Sequence, residues 1–196
     1  MKIAELLPLI TTLFIKELYQ EDLAEAEHVK AAGCPHCGGV LHCGNYQRKP
    51  RGIEGEVLRL LRLDWRISFC CGNEECRKRT TPKSVRFLGR KVYLGVSIVV
   101  AGILRGEGVK VAKICAILDN VKSETLRCWN LWWSGPVQSS NWWNVVKAQI
   151  MPPLEGKHFV WALFSRLLTR ADGVKTAIQK LLTFISPITV PAQYPS

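Results

Sequence analysis

The sequence predicts a mainly helical α+β fold in which a small β-rich segment interrupts a series of helices. Apolar residues recur at helical spacing before residue 31 and again after residue 92. Between these stretches, glycine and proline punctuate the chain and apolar residues alternate at a period of two. Hydrophobic residues make up 47% of the chain and charged residues 22%, which indicates a globular protein rather than a disordered one.

The N-terminal segment, residues 1–31, is predicted to be an amphipathic helix. Pro8 fits such a helix only in its first turn, because proline has no amide hydrogen to donate. We expect the apolar face to dock on the body of the protein or on a partner. The residues that form this face lie within 2–28 and are Leu6, Leu7, Ile10, Leu13, Phe14, Leu18 and Leu23.

The second segment, residues 32–91, is predicted to form short strands joined by turns. Val57 to Cys70 alternates apolar and polar residues, and Trp65, Ile67 and Phe69 keep a period of two. Two cysteine pairs flank these strands, with 33 residues between them. The first pair has two residues between its cysteines and the second pair has four; the four cysteines are Cys34, Cys37, Cys71 and Cys76.

Thiolates at these two spacings can supply the tetrahedral four-sulfur shell that Zn²⁺ prefers. The sequence therefore predicts one structural zinc ion and a zinc ribbon over residues 32–91. Nearby glycines are expected to let the backbone fold around the metal and to donate N–H groups to the sulfurs. These glycines are Gly38, Gly39 and Gly72.

Other cysteines and histidines leave alternatives open. Cys70 competes with Cys71 as a ligand, and we prefer Cys71 because a four-residue gap makes a compact turn. His36 is expected to point outward, while His42 and Cys43 are expected in a strand, where either could still be a ligand. Redox-active cysteines are the alternative to metal binding, although the second pair lacks the two-residue spacing of redox dithiols. The two remaining cysteines, Cys115 and Cys128, are expected in the helical core.

The cysteines and the N-terminal residues together predict the cellular compartment of the protein. Disulfides need an oxidising compartment, and the apolar stretch Ile10 to Ile15 is too short for an export signal. The apolar run Val92 to Leu104 is shorter than a membrane span, which needs about 20 residues. We therefore expect a reduced, cytoplasmic protein with no membrane partner.

Positive charge is concentrated beside the cysteines. The chain carries a formal charge of +11, and residues 44–91 alone carry +8, whereas residues 1–31 carry −3. Such a cluster is typical of a surface that neutralises phosphates, so DNA is the expected partner and RNA a possible one. A solvated basic surface without a partner is the alternative. The predicted contact residues in this segment are Arg48, Lys49, Arg51, Arg77, Lys78, Arg79, Lys83 and Arg86.

Residues 92–150 are predicted to be helical and to contain a helix-turn-helix. The first helix runs from Val109 to Leu118 and the second from Ser123 to Trp133, with Ser123 as its cap and Asp119 or Asn120 in the turn. In the second helix Leu126, Trp129 and Trp133 are expected to face the core, whereas Glu124 and the predicted contact residues face outward. An ordinary helical hairpin would show the same pattern. The contact residues are Lys122, Thr125, Arg127 and Asn130, of which the last two are of types that read base edges.

The last segment, residues 151–196, is predicted to contain two helices, 154–170 and 173–186, followed by a proline-rich tail. Tryptophans are frequent just before it, at 129, 132, 133, 142 and 143. Their helical spacing favours core packing over base stacking. Adjacent tryptophans cannot both be buried on one face, so one of each pair is available for a partner.

The cysteine pattern, followed by Arg77-Lys78-Arg79-Thr80, resembles the zinc fingers of Ogr/Delta-type phage transcription activators. It is also similar to the zinc-ribbon heads of bacterial transposase-associated proteins. Residues 46–52 and 80–93 look like stretches of bacterial mobile-element proteins. The resemblance covers about residues 32–135 and implies contact with DNA or RNA.

No catalytic constellation is expected. A two-metal nuclease or transposase needs about three convergent carboxylates, and the acids after Glu75 are isolated in the sequence. The sequence therefore predicts a zinc-dependent nucleic-acid-binding protein, associated with transposition or transcription, and not an enzyme. Two alternatives remain: a zinc ribbon that holds a protein partner, with the helices as the docking surface, and an RNA-binding ribbon.

Overall fold

The fold was obtained as a computed structural model, which describes residues 3–51, 55–89, 91–118, 121–150, 154 and 158–190. Helices dominate, and two small antiparallel sheets lie between the first long helix and the helical body. The predicted α+β, mainly helical fold class is confirmed. In the described part of the chain, no helix combines the length and the apolar character needed to cross a membrane.

The first long helix, α1, spans Thr12–Ala32, so it begins eleven residues later than the helix predicted over residues 1–31. Two 3₁₀ turns, Ile3–Glu5 and Leu7–Ile10, precede it. Pro8 occupies the start of the second turn, and the extended backbone of Thr11 separates that turn from α1. The helical spacing of the N-terminal apolar residues therefore spans two elements, of which only the second is an α-helix.

The ribbon consists of five short strands. β1 (Leu41–Cys43), β4 (Phe69–Cys71) and β5 (Arg79–Thr80) form a three-stranded antiparallel sheet in the order β1-β4-β5. β2 (Tyr46–Gln47) and β3 (Trp65–Arg66) form a separate antiparallel pair.

A short helix, α2, spans Gly55–Leu60 between the strands of that pair. The prediction of strands from Val57 onward is therefore wrong for this stretch. Its Glu, Leu and Arg residues are good helix formers, and Leu58 is fully buried in the main core. The helix propensity of these residues and the burial of Leu58 together favour a helix over the strand that the alternating pattern predicts.

The helical body is built around α3, which spans Gly95–Gly106 and is buried over ten consecutive residues. It is followed by α4 (Val111–Ile117) and α5 (Ser123–Trp132), both of which pack on α3. The remaining elements complete the body: a π-helical turn (Trp133–Val137), α6 (Asn141–Val146), a 3₁₀ turn (Lys147–Gln149), α7 (Phe159–Leu168), α8 (Val174–Ile185) and a 3₁₀ turn (Ser186–Thr189).

The described helices match the predicted helical regions closely. α4 and α5 lie within the two helices predicted for a helix-turn-helix, while Asp119 and Asn120 lie outside the described residues. Ser123 is the first residue of α5 and not its N-cap, and no described side chain caps that helix, so the predicted cap is wrong. α7 and α8 lie within the ranges 154–170 and 173–186, and the proline-rich tail lies outside the described residues from 191 onward.

Two separate apolar clusters share α1. Its first half, with Phe14, Ile15 and Leu18, belongs to the main core of the helical body. Its second half contributes Ala26 to a small cluster with Leu41, Ile67, Phe69 and two cysteines of the ribbon. Helix α1 therefore connects the ribbon to the body.

The acidic side of α1 also faces the body. Glu17 accepts from Lys175 of α8 at 2.7 Å, and Glu21 accepts from Thr183 of the same helix at 3.3 Å. Burial raises the pKa of Glu21 above its usual value, although the Thr183 hydroxyl lowers it in part. Two acids of the N-terminal segment, Glu17 and Glu21, thus contact α8 at the partly exposed edge of the body.

Candidate metal centre and basic surface

Two tight turns bring the four predicted cysteines together. In the first turn the Gly38 amide donates to the Cys34 carbonyl at 2.8 Å, and the Cys34 amide donates to the Gly39 carbonyl at 2.9 Å. In the second turn the amides of Cys76 and Arg77 both donate to the Asn73 carbonyl. Pairing of β1 with β4 places Leu41 opposite Cys71 and so holds the two turns side by side.

The sulfur atoms form a compact donor set. The Sγ atoms of all four cysteines lie within 4.8 Å of one another. Across the two turns, the Sγ atoms of Cys34 and Cys76 are 3.8 Å apart, and those of Cys37 and Cys71 are 3.4 Å apart. A tetrahedral zinc with four thiolates at about 2.3 Å needs sulfur atoms about 3.8 Å from one another. The four cysteines can therefore bind one metal ion, and their geometry is that of a single structural zinc site.

Backbone amides, burial and the neighbouring thiols all act on the pKa values of the four cysteines. The amides of His36 and Cys37 donate to Cys34 and, against the effect of burial, lower its pKa to about 7. The Asn73 amide lowers the pKa of Cys71, but burial and the neighbouring thiols outweigh that effect and raise it to about 12. Because zinc binds thiolates, metal binding at this site releases protons.

The amides that donate to sulfur belong to residues other than the predicted glycines. The Gly38 amide bonds to a carbonyl, and the Gly72 amide donates to the Val40 carbonyl at 2.9 Å. Gly39 matters for a different reason: a Cβ atom there would lie 3.2 Å from the Cys71 sulfur and 3.3 Å from the Cys37 sulfur. This glycine leaves the room that a metal and its thiolates need.

Strand geometry distinguishes Cys71 from Cys70. Neighbouring strand residues point to opposite faces, and Cys71, at 1% exposure, points into the small ribbon cluster. Cys70 pairs with His42 of β1 and with Arg79 of β5, so these three side chains share the opposite face. His42 and Cys43 lie in β1 as expected, and neither belongs to the sulfur cluster.

The predicted basic residues of the ribbon divide into three groups. Lys49, Arg51 and Lys78 are exposed and have no carboxylate partner among the described residues. Arg77 and Lys83 are paired with Glu74 at 3.1 Å and Glu25 at 3.3 Å, and both pairs are open to solvent. The last group, Arg48, Arg79 and Arg86, donates hydrogen bonds to backbone carbonyls.

Arg48 and Arg79 bond to backbone carbonyls while staying accessible. Arg48 donates to the carbonyls of Gly89 and Lys91, at 3.2 and 2.6 Å, and is partly buried. Arg79 donates to the Gly44 carbonyl at 2.8 Å and lies over the Tyr46 ring. We name the predicted contact residues of the ribbon that are exposed or partly exposed the basic ribbon surface. It consists of Arg48, Lys49, Arg51, Arg77, Lys78, Arg79 and Lys83.

Arg86 does not belong to that surface, and its predicted contact with nucleic acid is wrong. Its side chain has no exposed area and forms an ion pair with Asp22 at 2.8 Å. Its other nitrogens donate to the carbonyls of Leu63 and Trp65, and its guanidinium lies 4.3 Å from the centre of the Tyr19 ring. Arg86 therefore joins α1, the start of β3 and the segment after the ribbon.

Helix α5 exposes the predicted polar face. Leu126 and Trp129 are 2% and 4% exposed, whereas Lys122 and Arg127 are exposed and Thr125 and Asn130 are half-buried. Arg127 pairs with Glu124 of the same helix at 3.4 Å, with both side chains largely in solvent. The helix thus packs its apolar side on α3, and its outward side carries Glu124, Arg127 and the exposed Leu131, with Lys122 at the N-terminal end.

Trp129 and Trp133 are buried as expected, and Trp132 is half-buried with the Lys91 ammonium 5.0 Å from its ring centre.

Cys115 packs against the main core, but Cys128 is exposed, so its predicted burial is wrong. The residue that sequence reasoning missed is Asp22, which is an acid within an acidic helix, and nothing in its neighbours marks it as buried. Gly39 was predicted to matter at the metal site, and the structure assigns it the role of leaving room beside the sulfurs.

The chain has no match among protein families, curated proteins or solved structures.

Proposed function

We propose that this protein binds duplex DNA through the basic ribbon surface and helix α5, with zinc holding the ribbon in shape. The observation that carries the proposal is the exposed face of α5, where Lys122, Arg127 and Asn130 lie opposite a fully packed apolar side. The helix is ten residues and therefore about 15 Å long, a size that the major groove accepts.

The neighbouring helices support the same function. α4 precedes α5 across a short connection, and both pack on α3, an arrangement in which the last helix is the one available for a groove. Arg and Asn are the side chains that form paired hydrogen bonds with guanine and adenine edges.

The basic ribbon surface supplies the phosphate contacts in this proposal. Lys49, Arg51 and Lys78 are exposed cations, and the Arg77–Glu74 pair is too open to solvent to compete strongly with a phosphate. A net charge of +11 favours association with a polyanion at low ionic strength. We further propose a cytoplasmic protein of a mobile element, acting in transposition or transcription by binding and not by catalysis.

The test is a fluorescence-anisotropy titration of labelled random-sequence duplex DNA at increasing salt, with the zinc-loaded protein. Affinity is expected to fall steeply with salt, because cations on the protein release counterions from the duplex. Lys78→Ala should weaken binding to all sequences alike and flatten the salt dependence. Arg127→Ala should instead reduce the preference among sequences selected from a random pool.

Arg170→Ala is the matched control, since Arg170 is exposed and follows the far end of α7, away from α5. It should leave both affinity and selected sequences unchanged. Absence of duplex binding at low salt would contradict the proposal. Equal or tighter binding to RNA hairpins would assign the basic ribbon surface to RNA.

A protein partner is the second candidate, and one observation favours it. Leu60 and Leu61, at the end of α2, are 81% and 50% exposed and form an apolar patch on the ribbon. In that case a partner would co-purify with the chain, and Leu60→Asp would release it, while DNA binding would be absent at low salt.

A further inference from the structure

A cavity of about 220 Å³ opens beside the exposed face of α5. Its walls come from α5, from the π-helical turn after it and from the start of α7. The side chains that matter here are Arg127, Asn130, Trp133, Gln138, His158 and Phe159. Two of them, Arg127 and Asn130, also belong to the proposed DNA-contacting face, so cavity and face are continuous.

One wall of the cavity is apolar and rigid. The rings of Trp133 and Phe159 lie 6.0 Å apart at an angle of 28°, and the two residues are 4% and 8% exposed. Val160 continues this wall and packs on Gly102 of α3. Because these side chains are held by the main core, the wall exists before any ligand arrives.

The opposite side of the cavity is polar. The Gln138 amide nitrogen donates to the Trp133 carbonyl at 3.1 Å, which holds the Gln138 side chain in place and leaves its oxygen as an acceptor. Asn130 adds a second carboxamide, and His158 adds an exposed imidazole. At the mouth, the Arg127 side chain is 67% exposed and is held only by its open pair with Glu124.

The backbone around the cavity is unusual. Trp133–Val137 forms a π-helical turn that contains Pro136, and this turn carries Trp133 and Ser134 of the cavity wall. π-helical turns are rare and occur often at functional sites, because the wider turn moves side chains off the regular helical positions. Here the turn opens the space between α5 and α7.

These features fit one flat ring with polar edges. An aromatic and aliphatic wall suits the face and edge of a nucleobase, and carboxamides suit its hydrogen-bonding edge. We propose that the cavity takes one unstacked base of the bound DNA, beside the place where Arg127 meets the duplex. This inference rests on the proposed DNA binding. A free nucleotide has the same chemistry, and the experiment separates the two.

The experiment uses duplexes in which 2-aminopurine replaces one adenine at successive positions of a sequence that the zinc-loaded protein selects. This base fluoresces weakly inside the stack and strongly outside it. A several-fold rise in fluorescence is expected at one position when the protein binds. Ser134→Phe, which places a ring at the cavity mouth, should abolish the rise while duplex affinity measured by anisotropy stays within a few-fold.

Ser139→Phe is the matched control, since Ser139 is exposed, follows the same turn and does not line the cavity. Gln138→Leu is a second variant, which should reduce the rise without adding bulk. Duplex binding without a fluorescence rise at any position would overturn this inference and leave the proposed function intact. Absence of duplex binding would overturn both. Binding of the free 2-aminopurine mononucleotide, blocked by Ser134→Phe and without a rise in DNA, would assign the cavity to a free nucleotide.

Discussion

Arg86 is a basic residue in a basic segment, yet its guanidinium is completely removed from solvent. The Asp22 carboxylate accepts from Arg86, from the Ser84 hydroxyl and from the Val85 amide, so both charges have hydrogen-bonding partners. A buried charge without its partner is far more costly than an exposed one. The Arg86–Asp22 ion pair therefore stabilises the contact between α1, the ribbon and the helical body.

Arg86→Ala is expected to lower the free energy of unfolding by about 3–5 kcal/mol, because it removes the ion-pair partner of the buried Asp22 carboxylate. Denaturant unfolding followed by circular dichroism measures the change. Lys83→Ala is the control: its pair with Glu25 is partly exposed, so the loss should stay within about 1 kcal/mol. Equal effects of the two substitutions would contradict the structural role assigned to Arg86.

Cys70 and Cys71 are adjacent in sequence, but their side chains lie on opposite faces of β4 and are expected to differ in zinc binding. Cys71→Ser should remove the bound zinc, since its thiolate is one of four that converge on one point. Cys70→Ser should retain one zinc ion per chain, because the Cys70 side chain lies on the other face of β4. Elemental analysis after gel filtration measures both. Loss of zinc from the Cys70 variant with retention in the Cys71 variant would reverse the assignment.

At the scale of elements, two glycines one helical turn apart on α3 permit close packing by α7. A Cβ atom on Gly102 would lie 2.9 Å from the Val160 Cβ, and one on Gly106 would lie 2.2 Å from the Trp161 Cβ. Both clashes involve atoms next to the α7 backbone, which cannot move away without shifting the helix. The packing of α7 on α3 thus depends on the absence of these side chains.

Gly106→Ala is therefore expected to destabilise the protein by about 1–3 kcal/mol, even though alanine favours helix formation. Gly135→Ala is the matched control, since a Cβ atom there would meet nothing within 4 Å. Its effect should stay within about 0.5 kcal/mol. Thermal unfolding of the two variants makes the comparison, and a stabilised Gly106→Ala protein would contradict this packing.

At the scale of the whole molecule, the ribbon and the body differ in the size of their hydrophobic cores. The body has a continuous core that extends from α1 through α3 to α8. In the described part of the chain, the ribbon cluster contains six buried residues, and two of them are cysteines of the candidate metal centre, Cys34 and Cys71. Metal binding must therefore supply much of the folding free energy of the ribbon.

Removal of zinc by a chelator is accordingly expected to unfold the ribbon and spare the body. Hydrogen exchange followed by mass spectrometry should show lost protection in peptides from residues 34–47 and 67–80. Protection should be retained in α2, α3, α7 and α8, since Leu58 of α2 belongs to the main core. The second half of α1 should lose protection in part, because Ala26 packs on the ribbon. Uniform loss across the chain, or no loss in the ribbon, would contradict this division.

The metal centre and the helical elements could be predicted from sequence because their signals are local. Cysteine spacing within each turn determines which thiols can converge, and apolar spacing along α5 determines that Leu126 and Trp129 face inward. The strand pattern after Val57 was less informative, because alternation over a few residues also fits one short amphipathic helix.

By itself, then, the sequence determined the mainly helical α+β class, the four metal-binding cysteines and the two faces of α5. Only the tertiary structure decided that Arg86 is an internal partner of Asp22, that Gly39 makes room beside the sulfurs and that a cavity adjoins α5. The physical reason is the distance along the chain between the residues that determine each feature. Spacing along the chain governs local geometry, whereas the burial of a charge and the shape of a cavity depend on residues that only folding brings together.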